Sequence, residues 1–160
     1  MKDDEKFMAE ALAEAQKGLS EGEVPIGAVA VRDNLIVARG HNMRNAWSDI
    51  TAHAEMVCLS DLSSRNFDFQ LSDIIIYSTL EPCAMCLGAM IHYKIGRIVF
   101  GEYDLIAGAC GSKYDFHKIA GINVIGGIYR ERCRKILLDY FKSQLGHESI
   151  RWNDIELPAK

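Results

Sequence analysis

Helical apolar spacing alternates with strand-length apolar runs along this chain, and that alternation restricts the fold more than any other feature. Phe7, Ala11, Ala15 and Leu19 recur every fourth residue, with Met8 and Leu12 beside them, which predicts a helix over 4–20. Two short runs follow, 26–31 and 35–38, with Asp33-Asn34 between them as the signal of a tight hairpin turn. Thr51 is placed to cap a helix running to about Leu59. The run 74–77 predicts a third strand, and Pro82 suits the first turn of a helix reaching His92. Runs at 97–100 and 123–125 predict two more strands. Cys133, Ile136, Leu137, Tyr140 and Phe141 carry helical spacing for a last helix. The order α-β-β-α-β-α-β-β-α predicts an α/β fold, a three-layer α/β/α sandwich around one central mixed sheet.

The chain has 160 residues, a length that suits one domain over 1–160 with its own core. Apolar residues make up 49% and charged residues 25%, which excludes a mainly disordered or collagen-like chain. The net charge of −4 gives no support to a nucleic-acid binder at the level of the whole chain. No apolar run approaches the roughly 18–20 residues that span a bilayer, and the acidic start of the chain is no signal peptide. The expectation is a soluble, cytoplasmic protein without membrane contact. Five cysteines, an odd number, argue for reduced thiols or metal ligands rather than a disulfide framework.

Two segments carry chemistry: His53-Ala54-Glu55 and the run 82–86, PCAMC, each near a predicted helix start. Cys83 and Cys86 are three residues apart, so a helix places them on one face. Unpaired N–H groups at a helix N-terminus favour thiolate, the form that binds metal. With His53, the two sulfurs offer a donor set that suits zinc and leaves a fourth position open to water, as in catalytic rather than structural sites. Two thiolates weaken the metal as an acid, so a base beside it helps, and Glu55 is placed for that role. A structural zinc would need a fourth ligand from among Cys58, His92, Cys110, His117 and Cys133. Cys58 lies further along the helix of His53 and points away from a site at its start. Cys58, Cys110 and Cys133 read as buried small residues, and His92 and His117 as ordinary histidines. The charged run 130–135 reads as the solvated face of the last helix.

The pattern His-x-Glu followed by Pro-Cys-x-x-Cys resembles the zinc-dependent nucleobase deaminases, and the likeness runs over nearly the whole chain. The resemblance implies the cytidine-deaminase-like fold, Zn2+ held by His53, Cys83 and Cys86, and Glu55 as proton shuttle. It implies that hydroxide formed at the zinc attacks the ring carbon bearing the exocyclic amine. A homodimer is implied as well.

Two branches compete for the substrate. The runs 81–92, 95–101 and 108–112 resemble the bacterial tRNA adenosine deaminases. The runs 40–44, 101–102 and 131–135, together with 152–155, resemble the fungal-type free-base cytosine deaminases. An apolar 105–107, an acidic chain and the lid-like tail 146–160 favour a closed mouth. The leading expectation is therefore free cytosine or a related small base. A wobble-position tRNA adenosine is the alternative, and guanine or another aminated heterocycle a further one. The resemblance places Asn42 at the ring edge, Ile26 and Ala54 in the pocket wall, and Ile106 over the ring. It places Trp152 as a cap on the pocket and Asp154 against the reacting amine, the gap between these two being one residue shorter than in the free-base branch.

Overall fold

The computed structural model describes residues 2–65 and 71–145. Eleven elements follow in order. They are α1 (Lys2–Ser20), β1 (Gly27–Arg32), β2 (Leu35–His41), α2 (Arg44–Trp47), α3 (Ala54–Ser64), β3 (Ile75–Leu80), α4 (Ala84–His92), β4 (Arg97–Glu102), α5 (Phe116–Ala120), β5 (Asn123–Ile125) and α6 (Arg130–Leu145). The five strands form one sheet in the order β2-β1-β3-β4-β5. β1 pairs antiparallel with β2 and β3, while β3–β4 and β4–β5 are parallel, so the sheet is mixed as expected. The expected order holds, with the short helices α2 and α5 added.

Strand alternation divides the core into two layers. Ala28, Ala30, Ile76, Ile98 and Phe100 face α3 and α4, where Cys58, Leu59, Leu62, Leu87 and Met90 cover them. Val29, Val31, Tyr77 and Val99 face the other way, onto Phe7, Met8 and Ala11 of α1 and Cys133 of α6. Between β1 and β2, Asp33 and Asn34 both take positive φ, the backbone of a two-residue hairpin turn. Gly40 lets β2 approach α3 backbone to backbone. A Cβ there would lie 2.4 Å from Cys58 N and 2.5 Å from the Ala54 carbonyl oxygen.

Two helix starts differ from expectation. α3 begins one residue after His53, not at Thr51. Thr51 is taken up locally, since both its N–H and its hydroxyl donate to Asp49 Oδ1, at 2.8 and 2.7 Å. Pro82 lies ahead of the helix rather than in its first turn, and Cys83 occupies the N-cap. The reason is a competing pairing: the Pro82 carbonyl accepts the Ala109 N–H at 2.9 Å, and Cys83 bridges to Gly108. Among the described residues no helix is long and apolar enough to cross a membrane.

Candidate metal centre

His53 and Cys83 occupy the N-cap positions of α3 and α4, both with extended backbone, and Cys86 sits in the first turn of α4. Two helix N-termini therefore converge on one point, each bringing positive dipole ends that favour thiolate. Cys83 Sγ and Cys86 Sγ are 3.6 Å apart, and each lies 3.7 Å from His53 Nδ1. Zinc bonds of about 2.0–2.3 Å at tetrahedral angles separate neighbouring donor atoms by about 3.5–3.8 Å. The trio fits that spacing on all three edges, and its donor chemistry suits zinc. Among the described residues the group of mutually close ligand atoms stops at these three.

Proton sharing within the trio shows its electrostatics without a cation. The hydrogen bond from Cys86 holds the Cys83 thiol down to about 4, and the bond between Cys83 and His53 raises the imidazole. Cys86, as donor to Cys83 and largely buried, is pushed up. Burial likewise pushes Cys110 and Cys133 up to about 12 and Cys58 further, in keeping with inert core thiols.

Glu55, in the first turn of α3, is only 4% exposed. Its Oε1 accepts from Ser78 Oγ at 3.2 Å, and its Oε2 lies 3.6 Å from Cys86 Sγ. Burial pushes its carboxyl above the ordinary carboxylate range, the direction a proton carrier working near neutrality requires.

The expected substrate residues distribute unevenly. Asn42 is buried, and its Oδ1 accepts the Ala54 N–H at 2.9 Å. That bond orients the amide, whose nitrogen has no partner among the described residues. Ala54 itself is fully buried. Ile26, just ahead of β1, is half-buried against the same core layer. Ile106 is 53% exposed, on a loop whose neighbour Gly108 bridges to Cys83. Trp152, Asp154 and the tail 146–160 lie outside the described residues.

The residue that organises this loop is Glu81, which the sequence reading passed over. Its buried carboxylate accepts from the N–H groups of Asp104, Cys110 and Ser112 and from the Ser112 hydroxyl. Asp104 then accepts from Ile106 and Ala107 N–H. The one sequence clue was an acidic residue directly before Pro82-Cys83. A separate cavity of about 300 Å³, lined by Asp3, Asp33, Asp73 and Arg97 among others, contains none of the motif residues.

Comparison with known proteins agrees with this geometry. The cytidine and deoxycytidylate deaminase zinc-binding region matches residues 1–102. The tRNA-specific adenosine deaminase of Haemophilus influenzae is 38% identical over 152 residues, 92% of this chain and 88% of that protein. The chloroplastic tRNA(adenine(34)) deaminase of Arabidopsis thaliana is 46% identical over 109 residues, 68% of this chain but 8% of that much longer protein. A solved structure from work on A-to-I editing by tRNA:A34 deaminases at the wobble position of transfer RNA superposes with a TM-score of 0.78. It is 34% identical, over 82% of this chain and 99% of that one.

Proposed function

The chain belongs to the cytidine and deoxycytidylate deaminase zinc-binding family as a zinc-dependent hydrolytic deaminase, and from that premise we propose that it converts an adenosine in a tRNA loop to inosine. One observation carries the substrate: the likeness to a tRNA-specific adenosine deaminase over 92% of the chain. The free-base expectation gives way to it. The lid residues on which that expectation leaned, Trp152 and Asp154, lie outside the described residues, so the likeness alone favours the tRNA reading. Arg44, at the start of α2, is a cation within electrostatic reach of His53 despite the acidic chain.

In this reading His53 Nδ1, Cys83 Sγ and Cys86 Sγ hold the metal. Bound zinc supplies Lewis acidity toward water. Glu55 takes both protons of the incoming water in turn at Oε2: the first, released on attack, goes to a ring nitrogen, and the second, released as the new hydroxyl becomes a carbonyl, goes to the departing amine. The water oxygen becomes the ring carbonyl, the bond to the exocyclic nitrogen breaks, and ammonia leaves. Asn42, its oxygen tied to Ala54, donates from its amide nitrogen to an acceptor on the ring edge. A homodimer belongs to the same proposal, and sedimentation tests it.

The deciding experiment offers zinc-loaded protein a stem-loop with adenosine at the wobble position, alongside free cytosine, guanine and adenosine. The expected result is inosine in the stem-loop, with binding that weakens steeply as salt rises. Turnover of a free base with an inert stem-loop overturns the tRNA assignment.

A further inference from the structure

Ser78 stands in the middle of β3, paired with Ala28 on one side and Phe100 on the other, and has no exposed surface. By strand alternation it shares its face with Ile76, in the apolar layer beneath α3 and α4. A hydroxyl buried in such a place is unfavourable unless it is bonded. Its partner is Glu55 Oε1, at 3.2 Å. The other carboxylate oxygen, Oε2, is the one turned toward the thiols.

We propose that Ser78 is a positioning residue for Glu55. Its hydroxyl holds Oε1 as an acceptor against the sheet and leaves Oε2 as the oxygen that exchanges protons with the reactants. The helix start fixes the Glu55 backbone, but the last torsion of a glutamate is broad and roughly two-fold. One bond from a residue on the central strand removes that freedom, and proton transfer in the reaction depends on the orientation so gained. Ser78 has no surface through which to meet substrate, so the effect falls on kcat and not on KM. The inference rests on the deaminase assignment with Glu55 as proton carrier, and is indifferent to whether RNA or a free base is the substrate.

Ser78→Thr and Ser78→Val share a branched frame and differ in a hydroxyl against a methyl. With zinc-loaded protein and whichever substrate the wild type turns over, kcat of the Val variant is expected to fall about tenfold below that of the Thr variant, with KM unchanged within about twofold. Crystal structures of both zinc-loaded variants without substrate give a second readout that stands apart from activity. The Glu55 carboxylate keeps its orientation in Thr and rotates in Val. Equal kcat with an unmoved carboxylate overturns the proposal. So does a Thr variant as slow as Val, because side-chain volume and not the hydroxyl then sets the rate. Should the branched variants not fold, Ser78→Ala takes their place: a rotated carboxylate supports the proposal and an unmoved one overturns it.

Discussion

Asn42 Oδ1 accepts the Ala54 N–H at 2.9 Å and so ties the end of β2 to the first turn of the helix that presents His53 and Glu55. In the proposed function, stability and substrate contact fall to different atoms of this one side chain. Asn42→Ala should lose about 1–2 kcal/mol of unfolding free energy along with activity, as helix-start acceptors generally do when removed. Asn42→Asp keeps the acceptor but replaces the amide donor, so it should unfold near the wild-type midpoint while kcat/KM falls. Urea unfolding beside steady-state kinetics separates the two. An Asp variant with full activity would remove Asn42 from substrate recognition.

Glu55→Ala should retain one zinc per chain and lose turnover by about 10²–10⁴-fold, the usual worth of a general acid–base group. Metal analysis and single-turnover kinetics check the two halves. Substantial turnover in that variant places the proton carrier elsewhere.

The thiols offer a pH-dependent prediction in metal-free protein. Cys83, held down to about 4, is already thiolate near neutrality, so its alkylation by iodoacetamide should stay nearly flat between about pH 6 and 8. An ordinary thiol speeds up about tenfold per pH unit over that range, because its thiolate fraction grows until pH reaches its pKa. Cys110 and Cys133, pushed up to about 12 by burial, should not react in the folded chain. Zinc should protect Cys83. Peptide mass spectrometry after a timed reaction decides the matter, and a tenfold climb at Cys83 contradicts the geometry.

Glu81→Ala leaves three buried or half-buried N–H groups and the Ser112 hydroxyl without their acceptor. The expected loss is about 2–4 kcal/mol, since each buried donor left unsatisfied costs about 1–3 kcal/mol and the half-buried ones less. Glu81→Gln retains one acceptor oxygen and should lose less. Denaturant unfolding of zinc-loaded protein ranks the three forms, and an unchanged midpoint in the Ala variant would show that the loop is held by other contacts.

What could be read from the sequence was whatever repeats locally or depends on ligand chemistry. The helical spacing of Phe7, Ala11 and Ala15 and the Asp33-Asn34 turn carried the element order, and a His, Cys, Cys donor set carried the metal. The four-residue α2 and five-residue α5 are too short to show a period. The misplaced helix starts have a common cause. The acceptor at the start of α3 comes from Asn42, twelve residues earlier, and the approach to α4 is fixed by pairing with 108–109. Glu81 and Ser78 were missed for the same reason. Their partners lie 23 to 31 residues away, and a lone acid or serine in a strand announces no such partner.

At Gly108 a Cβ would meet the Asp104 carbonyl oxygen at 2.5 Å and the Glu81 carboxylate just as closely, so the stem of the 104–112 loop admits no side chain there. Its tip at 105–107 carries no such constraint, and Ile106 points into solvent. Exchanges at the tip therefore leave the anchorage beneath the metal site untouched, which makes this loop, under the proposed function, the natural place to begin redirecting the enzyme toward new substrates.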